Sequence, residues 1–253
     1  MKSHKSEFAV LLPFLIIFFL SQSALFSQSV VIGVKGGLSI PDLSGGNTPV
    51  SEGYTSRLAP TYGAWINYGL NQDWFLQAEL SFAGQGGKRN GMQAFPTPAQ
   101  LAPYLPPNTN NLYANYDNET IINYLEIPIL AGYSLKFGNS GFTGYAEAGP
   151  YFDFLLNAKT VTSGNSDLYL DQAGTMPLNM PQSFSSTTNN TSSVKTFNVG
   201  ITGGIGIKYD IGGGQIDLNV RGEYGFIPVE TDQSNGSNNT GALYITLGYG
   251  VAI

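Results

Sequence analysis

Eight stretches of this chain alternate apolar and polar residues, and the connections between them alternate between short and long. The stretches are Val30–Ile40, Thr61–Leu70, Trp74–Gly84, Thr120–Phe137, Gly141–Ala158, Val194–Ile211, Gly214–Val229 and Ala242–Ile253. A period of two is the side-chain repeat of a strand with one apolar face. Most of these stretches exceed the usual globular strand of about 5–6 residues and suit a tilted membrane strand of about 9–11. Three connections are tight: Asn71–Asp73, Gly138–Ser140 and Gly212–Gly213. The other four, Pro41–Pro60, Gln85–Glu119, Lys159–Ser193 and Glu230–Gly241, are longer. An even strand count with tight turns at one end and long loops at the other predicts an all-β fold. Its form is an eight-stranded antiparallel up-and-down transmembrane β-barrel with both termini on the turn side, the periplasmic side of an outer membrane.

The last stretch carries the pattern to the final residue. Leu243, Ile245, Leu247, Tyr249, Val251 and Ile253 share one face, and Ala242, Tyr244, Thr246, Gly248, Gly250 and Ala252 the other. Chain ends usually fray unless tied down, so a terminal strand of this kind is expected to pair with both Val30–Ile40 and Gly214–Val229 and close the sheet. Thr246, Gly248, Val251 and Ile253 resemble the C-terminal signal by which outer-membrane barrels are recognised for insertion. That resemblance implies the assembly machinery as a partner. The signal usually ends in an aromatic residue, and here Ile253 takes that place.

The first residues read as a secretory signal. Lys2 and Lys5 make a basic start, Phe8 to Leu20 an apolar core too short to span a membrane, and Ser21 to Gln28 a small polar exit. Cleavage is expected between Ser23 and Gln28, giving a signal over 1–27 and a barrel domain over 28–253. Charged residues are only 11% of the chain, against about 25–35% on an ordinary soluble surface. Such a chain needs lipid against its apolar face. The formal net charge is −6, and losing the signal makes it one unit more negative. With no basic stripe, nucleic acid is not an expected partner. Cysteine is absent, and the only histidine, His4, falls in the signal. A mature chain of this kind has no Ser–His or Cys–His machinery and no thiolate or imidazole metal site. Neither an enzyme nor a cofactor is expected.

A soluble barrel also alternates, with its apolar face inward, so the faces must be assigned. Once each strand is given a direction, the apolar-face aromatics collect at strand ends. Trp74, Phe142, Tyr68, Phe137, Tyr209 and Tyr249 fall at the turn end; Tyr62, Phe82, Phe152, Phe154, Phe197, Tyr224 and Phe226 fall towards the loop end. Aliphatic residues such as Ile66, Leu80, Ile129, Ile205, Val220 and Leu247 lie between them. Two aromatic belts around an aliphatic band are what two lipid–water interfaces select. The opposite face is then the lumen, with a candidate polar network of Lys35, Glu79, Glu126, Glu147, Lys208, Arg221 and Glu223. Gln77, Asp153, Asp217 and Asn219 share that face. Acids outnumber bases there, so some carboxylates are expected to be solvated or to share protons.

Other motifs read as structural. Gly200–Gly206 resembles a phosphate loop in composition, but alternation runs through it to Tyr209 where such a loop would enter a helix. Pro128 lies mid-strand on the inward face and is expected to mark a bulge or a break in pairing. The long loops, rich in Pro and, over Ser183–Ser193, in Ser, Thr and Asn, are expected to be mobile, with Ser183–Ser193 a solvated linker.

Several segments resemble the outer-membrane β-barrel family common in Bacteroidetes, the group that includes PorT-type proteins. They are Gly33 to Gly37, Gly69-Leu70 with Trp74 to Phe82 and Gly86-Gly87, Tyr124-Leu125-Glu126-Ile127-Pro128-Ile129-Leu130, and Ala148-Gly149-Pro150-Tyr151. The resemblance implies an eight-stranded outer-membrane barrel; one member of that family serves a secretion and gliding apparatus. A monomeric barrel of this size fills its interior with side chains. Function is therefore expected in the loops, as contacts with partners the sequence does not identify. Secretion accessory and narrow channel for ions or small solutes are the alternatives.

Overall fold

The computed structural model describes residues 29–253 of the chain; the expected signal over 1–27 and its expected cleavage region, Ser23 to Gln28, lie outside the described residues. Eight long strands form the barrel: β1 Val30–Gly45, β2 Ala59–Gly69, β3 Trp74–Pro96, β4 Asn111–Lys136, β5 Phe142–Ser163, β6 Phe197–Asp210, β7 Gln215–Gly225 and β8 Asn238–Ala252. Each pairs antiparallel with its sequence neighbour, and β8 pairs with β1. The β1–β8 ladder runs from Val31↔Ala252 to Gly45↔Asn238, and β8 also pairs with β7 from Gln215↔Gly250 to Tyr224↔Gly241. The ring is closed. Ile253 adds one more bond, from its N–H to the Val30 carbonyl at 2.9 Å.

Period two sets the faces. On β8, Tyr244, Thr246, Gly248 and Gly250 are buried while Leu243, Ile245, Leu247 and Tyr249 are exposed. The aromatic residues pair within their belts. At the turn end Trp74 meets Tyr133 at 5.1 Å and Phe142 meets Tyr209 at 4.5 Å. At the loop end Tyr62 stacks on Phe82 at 5.0 Å and Phe154 packs on Phe197 at 5.5 Å. Such ring contacts hold neighbouring strands in register beyond the backbone ladder.

The tight turns close by their own hydrogen bonds. Asn71 Oδ1 accepts the N–H groups of Asp73 and Trp74 at 2.9 and 2.8 Å. Asp210 Oδ1 accepts the Gly212 N–H at 2.8 Å, where Gly212 has φ of 81°, a left-handed conformation that glycine adopts without steric penalty. Gly200–Gly206 is strand, as its alternation implies. A Cβ on Gly206 would lie 2.3 Å from the Tyr145 ring, so glycine there makes room for an inward tyrosine.

The loop end departs from expectation. β1 runs on through Pro41 to Gly45, and β8 starts at Asn238, before Ala242. β6 and β7 are shorter than read, beginning at Phe197 and ending at Gly225. The stretch expected as a mobile loop over Gln85–Glu119 is mostly a projecting hairpin. The β3–β4 ladder continues to Pro96↔Asn111, leaving only 97–110 as a tip. β5 likewise continues to Ser163. Above Phe154↔Phe197, where β6 no longer pairs with β5, Ser186–Asn189 takes over that edge as a short strand. Ser183–Ser193 is mostly exposed to solvent, as expected, but the linker reading is corrected over Ser186–Asn189: polar composition does not prevent a strand whose backbone completes an open edge.

Pro128 is fully buried and faces inward. The β3–β4 register is the same on both sides of it, but the pairs between Ala78↔Ile129 and Ser81↔Glu126 are missing. It breaks the pairing without shifting it, as a residue lacking the donor should. The bulge lies elsewhere, where the β4–β5 register shifts between Asn123 and Tyr124 and leaves Leu156 unpaired.

Candidate functional site

The inward positions stack in layers along the barrel. At the turn end lies a vestibule of about 510 Å³ bordered by Asn67, Phe75, Lys136, Lys208, Asp210 and others. Its roof is the Lys208 ammonium, held 4.7 Å from the Phe75 ring centroid and 4.6 Å from that of Tyr145. Ring faces attract a cation in this geometry.

The next layer gathers four of the predicted residues. Arg221 on β7 donates from Nη1 to Glu79 Oε2 at 2.9 Å and from Nη2 to Glu79 Oε1 at 2.8 Å. Its Nη2 also reaches Glu147 Oε1 at 2.6 Å. Lys35 Nζ donates to Glu79 Oε2. Gln77 Nε2 bonds Glu79 Oε1 at 2.7 Å, and Asn67 Nδ2 bonds Gln77 at 3.0 Å. On the other flank Asn219 donates to Glu147 at 3.0 Å and to the Tyr145 hydroxyl at 2.9 Å, which donates to Asp217 at 2.8 Å. A bidentate Arg–carboxylate pair is among the stronger polar contacts available. The space left among Lys35, Glu79, Asp217 and Arg221 is about 10 Å³, room for about one water.

The remaining two carboxylates, Glu126 and Glu223, sit in a separate group. The Tyr244 hydroxyl lies 2.6 Å from Glu223 Oε1 and 3.4 Å from Glu126 Oε2, and Gln85 Nε2 donates to both Tyr244 and Glu223. Asp153, wholly buried, lies in the same region without a hydrogen bond from the described residues. Above them Leu43, Ala83, Ile122, Tyr124, Ala158, Val194 and Val229 cap the lumen with an apolar cluster.

The structure thus joins Lys35, Glu79, Glu147 and Arg221, sets Glu126 and Glu223 in a second group, and keeps Lys208 apart between two rings. Of the two fates expected for the surplus carboxylates, solvation or a shared proton, solvation does not apply to Glu79, Glu126, Glu147 and Glu223, all of which are buried. Tyr145, Tyr244, Asn67 and Gln85 are members that residue-by-residue reading did not pick out. Their inward phase in the alternation was the available signal. Of the terminal-strand residues, Thr246 and Gly248 are buried on the lumen side, Val251 is half-buried on the outer face and Ile253 is exposed.

A second packed region stands beyond the barrel. Leu112, Ala114, Tyr116 and Leu168 form a buried cluster with Phe95, Leu101, Leu105, Leu170, Leu178 and Phe184 around it. Phe184 stacks on Tyr116 at 4.3 Å and 7°. Tyr113 and Tyr169 exchange backbone hydrogen bonds at 2.9 and 2.8 Å, so the segment after β5 lies along the free edge of the hairpin. The β1–β2 loop is tied down as well, by Arg57 Nε to Glu119 at 2.8 Å and Arg89 Nη2 to the Pro49 carbonyl at 3.1 Å.

A closed antiparallel ring with an apolar, belted exterior and a polar, filled interior defines an integral outer-membrane β-barrel protein. In sequence, residues 26–230 match the family described as the outer membrane protein beta-barrel domain, and the chain belongs to that family. No curated protein matches it in sequence. Similar solved structures include Neisserial surface protein A (NspA), at 13% identity and a TM-score of 0.39 over 87% of this chain and 96% of that one. Ail of Yersinia pestis, in complex with the heparin analogue sucrose octasulfate, aligns at 13% and 0.37 over 87% and 98%. OprG of Pseudomonas aeruginosa aligns at 15% and 0.43 over 89% and 97%.

Proposed function

We propose that this barrel is a membrane anchor whose work is done by the folded region at its loop end, as a contact surface for partners outside the cell. The observation that carries the reading is the second core around Tyr116 and Phe184. Loops that merely join strands have no need of a packed interior, and ordering them loses about 1–2 kcal/mol of backbone entropy per residue. A preorganised surface lowers the ordering penalty of binding. In this reading residues 1–27 are a cleaved signal, the termini face the periplasm, the barrel is monomeric, and Thr246, Gly248, Val251 and Ile253 engage the assembly machinery. Replacing 97–110 and 164–184 by short Gly-Ser connections, with the barrel still inserted, should abolish the cell-surface phenotype of a deletion strain's complementation. Full complementation by the trimmed chain would end the proposal.

The resemblance of Tyr124 to Pro128 to PorT-type proteins supports a second reading, an accessory of protein secretion in a Bacteroidetes cell. Tyr124, Glu126 and Pro128 point into the barrel, which favours a structural use of that segment. Normal cargo secretion in a deletion strain would exclude the second reading. The filled lumen speaks against a channel, and planar-bilayer recordings should give no steady conductance.

A further inference from the structure

We propose that the vestibule at the turn end binds a small organic monocarboxylate, with the Lys208 ammonium as its anchor. The inference is independent of the loop-end reading and of which side of the membrane the turn end faces.

Lys208 is half-buried, and its ammonium lies 4.7 and 4.6 Å from the centroids of the Phe75 and Tyr145 rings. Both rings are buried. Ring faces attract a cation but carry no net charge to neutralise it. Asp217 is opposite Lys208 on the β6–β7 ladder, yet its Oδ1 accepts the Tyr145 hydroxyl at 2.8 Å. Glu147 is engaged by Arg221 and Asn219. Among the described residues, the ion pairs join Lys35, Arg57 and Arg221 to their acids and leave Lys208 out. A half-buried ammonium without an ion pair is unfavourable unless an anion can reach it.

Further donors point into the same space. Thr143 is opposite Lys208 on the β5–β6 ladder and shares its inward face. Ser134 is opposite Tyr145 on the β4–β5 ladder and is likewise inward. Gln215 Nε2 is buried with no hydrogen-bond partner among the described residues. All four side chains border the vestibule of about 510 Å³, a size within the roughly 300–1,000 Å³ of small-molecule pockets. Donors from β4, β5, β6 and β7 thus converge, and a carboxylate is an acceptor with two oxygens to offer them.

The rest of the lining limits the charge and the size of the ligand. Asp73 and Asp210 border the vestibule together with Lys136 and Lys208, so its charged side chains cancel. One negative charge suits that balance, whereas a dianion would meet two carboxylates. Trp74 and Phe75 give an apolar wall for an organic body. Behind Lys208 the polar layer leaves only about 10 Å³. The vestibule is therefore blind, and a ligand in it is held, not passed through.

The test is isothermal titration calorimetry of full-length mature protein in non-ionic detergent with sodium benzoate and with sodium butyrate. Parallel arms use benzamide, which keeps the ring and lacks the charge, and inorganic phosphate. Wild type should bind the carboxylates saturably at one site, and benzamide and phosphate far more weakly. Lys208→Met should weaken carboxylate binding by about tenfold or more, as loss of a charge-assisted contact does. Lys159→Met, exposed on the loop-end part of β5, should leave it unchanged. So should the chain trimmed over 97–110 and 164–184, which keeps this result separate from the loop-end reading. A heat-modifiable gel shift confirms folding of each variant; if Lys208→Met does not fold, Thr143→Phe, which fills the space beside Lys208, should abolish binding in its place. No saturable binding of either carboxylate, benzamide binding as tight as benzoate, or binding unmoved by Lys208→Met or Thr143→Phe would overturn the site. Tighter binding of phosphate than of either carboxylate would overturn the monocarboxylate assignment.

Discussion

Arg221 and Glu79, 142 positions apart in sequence, meet across the lumen through two parallel hydrogen bonds of 2.9 and 2.8 Å. Both side chains are buried, and Glu147 and Lys35 complete the group. The pair connects β3 to β7, strands that share no backbone ladder, so it braces the barrel across its diameter.

Removing the guanidinium should therefore be severe. Arg221→Ala leaves Glu147 without its cation and Glu79 with Lys35 alone. Breaking a buried pair from one side destabilises by about 3–5 kcal/mol, because an uncompensated charge stays buried. Urea unfolding in lipid vesicles, followed by tryptophan fluorescence, measures it. Lys35→Met should have a smaller effect, since Arg221 still holds Glu79. Equal losses for the two variants would mean that the bidentate pair is not the brace.

The loop-end core should fail independently of the barrel. Phe184 is half-buried, stacked on Tyr116 and edge-on to Phe95. Phe184→Ala should destabilise that region by about 2 kcal/mol, below the roughly 3–5 of a fully buried ring. Limited proteolysis of whole cells should then cut within 164–184 while the heat-modifiable shift of the barrel is unchanged. Resistance to protease equal to wild type would show that the ring contributes nothing to the ordering.

One carboxylate outside the membrane has a definite pH signature. Asp171 accepts the Thr175 hydroxyl at 2.7 Å and the N–H groups of Thr175 and Met176 at 3.1 and 2.8 Å. These bonds, the Thr175 hydroxyl first, hold its pKa below the ordinary aspartate value. A lowered folded pKa gives a stabilisation that is present above the unfolded value, about 3.9, and is lost as pH falls through the folded one. Amide exchange at Thr175 and Met176 should speed up below about pH 4, after correction for the intrinsic rate. Asp171→Asn should remove that pH dependence, and a corrected profile that stays flat in wild type would contradict the turn.

The strands were legible because their signal is local. Alternation places Leu247 outward and Thr246 inward without knowledge of any neighbour, and the barrel follows from eight such patterns with unequal connections. Height in the lumen was not legible. Phase puts Arg221, Glu126 and Lys208 on one inward face, but which carboxylate faces which base depends on the stagger of strands far apart in sequence. The loop-end core was missed for the same reason. Leu112, Leu168 and Phe184 make one cluster only once 164–184 lies against the hairpin, and their own stretches read as polar and proline-rich.

Closure through β8 gives the most exacting consequence. Residues Tyr249 to Ala252 pair with Val34 to Val31 on one side, and Tyr249 and Gly250 with Ile216 and Gln215 on the other. Deleting Tyr249–Ile253 would expose the backbone groups of β1 and β7 at the turn-end rim. In hydrocarbon an unpaired backbone group loses several kcal/mol, and several would be unpaired at once. The truncation should accumulate unfolded and give no heat-modifiable species in isolated membranes. Gly250→Ala should also assemble poorly, because a Cβ there would stand 2.4 Å from the Trp65 ring, whereas Ile253→Phe should insert at least as well as wild type. Normal assembly of the truncated chain would show that the barrel closes without its last strand's end, and the register between β8 and β1 would then have to be carried by Asn238 to Gly248 alone.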